Sequence, residues 1–283
     1  MFRKIKSILT AGVPRQMSDG EARDVALMLL EKVCGVSQVE ALLGSEKTVG
    51  KEGLLEEMAR RVAGGEPVQY VLGEADFCGL TLHVESGVLI PRKETEEIVM
   101  SVSGMQLVGD GRVLDVCTGS GCIAIALAKM FPGAEVEAWD ISDDALRVAK
   151  DNAARCETEV VLKKVNVLDD MAWQRAWGGK HVSLIVSNPP YICQEEAKDM
   201  DVNVLDHEPH LALFVPDDDP LLFYRKIAGI GLHILYNKGK LVFEINRRFG
   251  EQVVEMLKVM GYEDVVLSKD MFGNNRMVCA IKA

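Results

Sequence analysis

The chain has 283 residues, 48% of them hydrophobic and 27% charged, a globular composition with enough length for two separate cores. Its formal net charge of -11 opposes the counterion release that drives most nucleic-acid binding, so a protein or small-molecule substrate is favoured. The seven cysteines are scattered without a C-x-x-C pair, which argues against a patterned zinc or dithiol site and for a reducing compartment.

Met1 to Lys6 carries Arg3, Lys4 and Lys6, but no apolar signal core follows. No apolar run approaches the ~18 residues of a membrane span, so a soluble, cytoplasmic protein is expected. Ser18-Asp-Gly-Glu21 and Ser37-Gln-Val-Glu40 match the capping box that opens a helix. Ala22, Val25, Leu29 and Val33 then recur at helical spacing, as do Leu55, Met58 and Val62 before the stop at Gly64-Gly65. Residues 1–75 therefore read as a small helical domain without chemistry of its own. From Pro67 to about Val84 aromatic, β-branched and glycine residues suggest short strands or a hairpin, and residues 76–98 are expected to be a linker. The segment Val88 to Glu96 leads into a new helix, with Thr95 or neighbouring acids in its first turn.

From Arg112 onward apolar runs alternate with helical stretches, as in parallel βαβ units. The runs are Val113 to Val116, Glu135 to Trp139, Val160 to Val165, Val182 to Val186, Leu241 to Ile245, Val265 to Leu267 and Met277 to Ile281. The expected fold is α/β: a doubly wound, seven-stranded, Rossmann-like sheet over residues 99–283, preceded by the helical domain.

The first strand ends in Asp115-Val-Cys117-Thr118-Gly119-Ser120-Gly121 and runs directly into Cys122-Ile-Ala-Ile-Ala-Leu-Ala. Glycines here let a ligand approach the backbone, and a helix N-terminus offers free amides, as a nucleotide or nucleoside site requires. About 20 residues on, the second strand ends at Asp140, which can bind both ribose hydroxyls or can cap the helix after Ser142. Gly119, Gly121 and Ala124 also fit the relaxed dinucleotide fingerprint, so the turn alone leaves a nicotinamide or flavin cofactor open. At the third strand's end Asn166, beside Val167, is a candidate for the adenine edge and equally for an ordinary turn asparagine.

The fourth strand leads into Asn188-Pro189-Pro190-Tyr191, which the carboxyl-end rule for open α/β sheets places at the same crevice. An amide nitrogen is a poor nucleophile because its lone pair is shared with the carbonyl. The Asn188 side-chain oxygen and the Pro189 carbonyl can accept both hydrogens of an NH2 group, and Tyr191 can stack on the planar acceptor and turn its π face to a sulfonium. That chemistry needs neither a metal nor a covalent nucleophile. Asp217-Asp218-Asp219 reads as a solvated acidic loop, and His207 and His210, lacking a third ligand, as surface histidines.

With Asn188 to Tyr191 in view, nearly the whole chain resembles the release-factor glutamine methyltransferases. The resemblance takes in Pro67-Val-Gln-Tyr70-Val-Leu-Gly73, Leu89-Ile-Pro91-Arg92, Glu94-Thr95-Glu96, the glycine turn, Glu208-Pro209, Glu244-Ile245 and Asp270 to Arg276. It implies S-adenosylmethionine as methyl donor, S-adenosylhomocysteine as product, and the glutamine of the Gly-Gly-Gln loop of peptide chain release factors as acceptor. It also implies that Asp115, Cys117, Thr118, Gly119, Ser120, Gly121, Asp140, Asn166, Val167 and Asn188 bind the cofactor. Arg92, Glu94 and Asn188 to Tyr191 would meet the substrate, the helical domain would help engage the release factor, and a monomer is expected. Cys117 departs from the family's usual glycine, Lys93 from a common proline and Asn166 from a frequent aspartate; Cys117 is tolerable if its position needs no positive φ. Rival readings are an adenine-amino DNA or RNA methyltransferase, a ribosomal-protein glutamine methyltransferase, and a binding protein that has lost turnover.

Overall fold

The structure, a computed structural model, describes residues 1–12, 17–44 and 46–283. The chain forms two compact units, residues 1–74 with 201–207, and residues 75–200 with 208–283.

The first unit holds helices α1 (Phe2–Thr10), α2 (Asp19–Cys34), α3 (Gln38–Leu43), α4 (Glu52–Ala63) and α5 (Val68–Leu72). Ser18 Oγ accepts from Glu21 N at 3.2 Å to open α2, and α3 begins with a complete capping box between Ser37 and Glu40. Ile5 and Leu9 of α1, Ala22, Ala26, Leu29 and Leu30 of α2, and Leu55, Ala59 and Val62 of α4 make its core, with Val25, Val33 and Met58 at the edge. Each fully buried leucine there contributes ~1.5–3 kcal/mol. The chain returns to this unit as α10 (Val202–His207), where the Asn203 side chain would sit 3.3 Å from a Cβ on Gly65.

The run from Pro67 to Gly73, expected to be extended, is α5 instead. Pro67 stands at its N-cap, Gly73 closes it at a left-handed φ of 72°, and this single turn buries Tyr70 and Val71. The strands come next, as a hairpin of β1 (Glu74–Phe77) and β2 (Leu80–His83). Phe77 and Leu82 are fully buried and belong to the core of the second unit.

That unit is built on β3 (Val113–Val116), β4 (Val136–Asp140), β5 (Val160–Lys164), β6 (Val182–Ser187), β9 (Leu235–Glu244), β10 (Tyr262–Lys269) and β11 (Asn275–Lys282), in the order β10-β11-β9-β6-β3-β4-β5. β5, β4, β3, β6 and β9 run parallel, and β11 is antiparallel to both neighbours. Two-residue strands β7 (Ile192–Cys193) and β8 (Phe214–Val215) pair separately. Helices α6 (Lys93–Ser101) and α7 (Cys122–Met130) share one apolar core with the sheet. On the other side, α12 (Leu222–Ile234) and α13 (Gly250–Val259) share a second.

Alternate residues supply the two faces: Leu241 and Phe243 go to the α12/α13 side, Val242 to the α6/α7 side. Covered on both faces, the central strands read as continuous apolar runs, which is why they were visible in the sequence. Helices α8 (Asp143–Arg155), α9 (Asp170–Trp177) and α11 (His210–Leu213) complete the unit. From β3 the chain winds outward through β4 and β5, then crosses back to place β6 on the opposite side of β3. The crevice at that reversal is where an open α/β sheet receives a ligand.

Candidate active site

The turn after β3 is held by its own side chains. Asp115 Oδ2 accepts from Thr118 Oγ1 at 2.5 Å and from Ala124 N, in the first turn of α7, at 3.2 Å. Gly119 and Gly121 both have left-handed φ, 54° and 80°, and a Cβ on Gly121 would lie 3.0 Å from the Ala149 Cβ. Cys117 also has a positive φ, 62°, so the position that favours glycine is occupied by a residue that must bear the strain. Burial pushes the Asp115 carboxyl up to about 7, and burial with the nearby Asp140 and Asp115 carboxylates pushes the Cys117 thiol well above its ordinary value. Among the described residues, Asp115 Oδ1 is buried without a hydrogen-bond partner.

Asp140, at the end of β4, reaches back to this turn. Its Oδ2 accepts from Gly119 N and its Oδ1 from Ser142 N, each at 2.9 Å. Capping of α8 falls to Ser142, whose Oγ accepts from Ala145 N, and Asp140 keeps a lone pair on each oxygen for vicinal hydroxyls. Burial raises the Asp140 carboxyl above its ordinary value, and the backbone amides of Ser142, Gly119 and Ile141 oppose that rise.

A cavity of about 180 Å³ opens here, lined by Cys117, Gly119, Asp140, Asn166, Val167, Asn188 and Pro190 among the expected residues. Val88, Leu89, Trp139, Ile141 and Phe223 add an apolar wall suited to a flat aromatic ring. Asp115, Thr118 and Ser120 stand behind the lining, and Pro189, Tyr191, Arg92 and Glu94 are also outside it. Asn166 Oδ1 accepts from Leu168 N at 3.0 Å, so it both shapes a turn and faces the cavity. The donor set fits an adenosyl group: a carboxylate for hydroxyls, an apolar slot for a base, and a glycine turn open to solvent at Gly119, where a Cβ would meet nothing within 4 Å.

Ser187 Oγ donates to Val116 O at 2.6 Å, tying the acceptor loop to β3. Asn188 Nδ2 donates to Thr95 Oγ1 at 3.3 Å, and Thr95 Oγ1 donates to Glu244 Oε2 at 2.7 Å. The Tyr191 hydroxyl donates to Glu244 Oε1 at 3.0 Å, and its carbonyl accepts from Asn246 Nδ2 at 3.0 Å. Burial raises both the Glu244 carboxyl and the Tyr191 phenol, the latter further through the Glu244 charge. The loop before α6 is held in parallel fashion: Glu208, buried, pairs with Arg92 at 2.5 Å and accepts from Ile90 N at 3.2 Å. In the sequence Glu208 and Glu244 stand out only within motifs of the family resemblance, and Thr95 only there and in the first turn of a helix. The signal that marks them is burial, which the fold alone reveals.

Fold, cavity and the family relationships that follow together define an S-adenosylmethionine-dependent methyltransferase. A domain family described as the methyltransferase small domain matches residues 97–207, and the PrmC N-terminal domain matches residues 15–73. A release factor glutamine methyltransferase of Bacteroides thetaiotaomicron is 40% identical over 96% of this chain and 98% of its own length. That of Bacillus subtilis is 34% identical over 93% and 92%. The chain belongs to the release factor glutamine methyltransferase family. Among solved structures, a methyltransferase from Pyrococcus furiosus matches 73% of this chain and 90% of its own at a TM-score of 0.52 and 18% identity. A 16S rRNA N2 G1207 methyltransferase from T. thermophilus, solved with AdoMet and guanosine, matches 74% and 50% at 0.50 and 15%. At those identities the likeness is one of fold.

Proposed function

We propose that this enzyme methylates the side-chain amide nitrogen of the glutamine in the Gly-Gly-Gln motif of peptide chain release factors. When bound, S-adenosylmethionine supplies a methyl carbon activated by cationic sulfur. Asp140 takes the ribose hydroxyls, the segment from Asp115 to Gly121 shapes the turn beneath them, and Asn166 with Val167 meets the adenine. Asn188 carries the acceptor side of the reading, because it lines the cavity that also holds Cys117, Gly119 and Asp140. Its side-chain oxygen and the Pro189 carbonyl accept the two hydrogens of the substrate NH2, orient the nitrogen and stabilise the positive charge that develops on it. Pro190 closes that wall of the cavity, while Tyr191, anchored through its hydroxyl, buttresses the loop. Arg92 and Glu94 receive the flanking polypeptide, and the helical unit engages the body of the release factor.

The net charge of -11 favours a protein acceptor over nucleic acid. Among the described residues no helix is long and apolar enough to cross a membrane. The decisive experiment offers labelled S-adenosylmethionine with a release factor, its Gly-Gly-Ala variant, a ribosomal-protein fraction and duplex DNA. Label on the intact factor alone is expected. Label on DNA or on the ribosomal fraction would reassign the acceptor.

A further inference from the structure

We propose that Thr95 and Glu244 are positioning residues that determine which end of the Asn188 side chain faces the methyl acceptor. The inference rests on the reading of Asn188 as the group that binds the acceptor NH2. An asparagine side chain offers an oxygen on one side and an NH2 on the other, of similar shape but opposite hydrogen-bonding character. If the NH2 were turned toward the acceptor, two donors would face each other and the nitrogen could not be held.

The chain of hydrogen bonds removes that ambiguity. Glu244 is buried, and as a carboxylate it only accepts. It therefore takes the single hydrogen of the Thr95 hydroxyl, 2.7 Å away, and that of the Tyr191 hydroxyl, 3.0 Å away. With its hydrogen committed, Thr95 Oγ1 can only accept from Asn188, so Nδ2 lies on the Thr95 side at 3.3 Å and Oδ1 is left as the acceptor. The polarity runs one way, from Asn188 through Thr95 to Glu244. A neutral Gln at 244, or a protonated Glu244, can donate to Thr95 and allow the order to reverse.

Besides Thr95, the groups that face Glu244 are Tyr191 and Tyr224, Arg276 of β11, and Glu94 of α6. Burial is the largest influence and, with Glu94, opposes the ionised form, while the hydrogen bonds from Thr95 and Tyr191 and the charge of Arg276 favour it. The polarity also bears on selectivity: it matches an acceptor that donates two hydrogens, such as a carboxamide, and opposes a carboxylate of the same shape.

The test compares Thr95→Val, Thr95→Ser and Glu244→Gln in transfer to a release factor, with cofactor affinity measured by calorimetry. Thr95→Val is expected to lower kcat about tenfold, equivalent to ~1.4 kcal/mol, and to leave cofactor affinity unchanged. Thr95→Ser should restore kcat to within about twofold, since it keeps the hydroxyl. Wild-type kcat should fall on the acid side as Glu244 takes up a proton, and Glu244→Gln should be slow at every pH and lack that limb. Hydrogen exchange of the Asn188 side-chain NH2, assigned by its loss in Asn188→Asp, needs no acceptor and judges the relay separately from the choice of substrate. Slow exchange in wild type and Thr95→Ser with fast exchange in Thr95→Val supports the relay. Equal exchange in all three would overturn it, as would a Thr95→Val enzyme with wild-type kcat or a Thr95→Ser enzyme as slow as Thr95→Val.

Discussion

Asn152 pairs with His83 through its side chain as one strand pairs with another: Oδ1 accepts from His83 N at 2.6 Å and Nδ2 donates to His83 O at 2.9 Å. The same Nδ2 donates to Ser120 O at 2.9 Å, so one fully buried amide in the middle of α8 joins the end of the hairpin to the glycine turn. Asn152→Leu would remove all three of these buried hydrogen bonds. A loss of about 3 kcal/mol is expected, since an unsatisfied buried polar group costs ~1–3 kcal/mol. Urea unfolding measures it, and a loss under ~0.5 kcal/mol would mean that the site has admitted water.

Cys117 stands where two opposing effects nearly cancel. Glycine would relieve a left-handed residue, worth ~1–2 kcal/mol, but would add unfolded-state entropy worth ~0.4–1 kcal/mol and give up the packing of the thiol. Cys117→Gly is therefore expected to leave stability within about 1 kcal/mol of wild type, and Cys117→Val, β-branched at positive φ, to lose more than about 2 kcal/mol. Thermal melts of the three proteins decide between strain and its absence. Equal stability for valine and cysteine would show that this φ carries no strain.

The buried Asp115 carboxyl, raised from 3.8 to about 7, links stability to pH. The folded protein keeps a proton that the unfolded chain releases, so this group's contribution is fully present below about pH 4 and is lost as pH rises to about 7. Asp115→Asn should therefore gain on wild type by roughly 3 kcal/mol between pH 5 and pH 8 in denaturant titrations. Parallel curves for the two proteins would place the proton elsewhere.

Asp140→Ala should weaken S-adenosylmethionine binding by at least about tenfold, since hydrogen bonds to a charged group contribute ~1.5–3 kcal/mol. Calorimetry supplies the number. Unchanged affinity would move the ribose contact to another residue.

Arg92→Ala leaves the buried Glu208 with only Ile90 N among the hydrogen bonds described for its carboxylate. Breaking a buried pair costs ~3–5 kcal/mol, but Arg92 is 36% exposed, so solvent screening brings the expected loss to about 2 kcal/mol. Chemical denaturation checks this, and Arg92→Lys should recover only part of the loss, because an ammonium lacks the guanidinium fork. Full recovery would show that charge alone suffices.

Much of the fold was legible because its signals are local. Val113 to Val116 and Val182 to Ser187 are apolar runs bounded by turn residues, and Gly119 and Gly121 mark a strand-to-helix turn by chemistry alone. Pro67 to Gly73 reads as extended although it is helical, because a single turn with Tyr70 and Val71 buried is too short for helical periodicity to outweigh β-branched and aromatic composition. Asp140, Asn166 and Asn188 could be placed by counting strand ends. The support beneath them could not: Thr95 and Glu244 lie 149 positions apart, Asn152 and His83 69 apart, and no spacing rule connects them before the sheet is closed.

The return of the chain at α10 bears on how the protein can be divided. Because residues 201–207 complete the helical unit from within the other unit's stretch of sequence, excision of residues 1–74 does not release an intact catalytic fragment. It leaves α10 behind without the Gly64-Gly65 turn, its half-buried faces open to solvent. A usable dissection must also replace 201–207 with a short polar connection, and a natural rearrangement that exchanged the amino-terminal segment would have to carry this internal piece with it. A cut at residue 74 therefore falls between two elements of the chain but not between the two units.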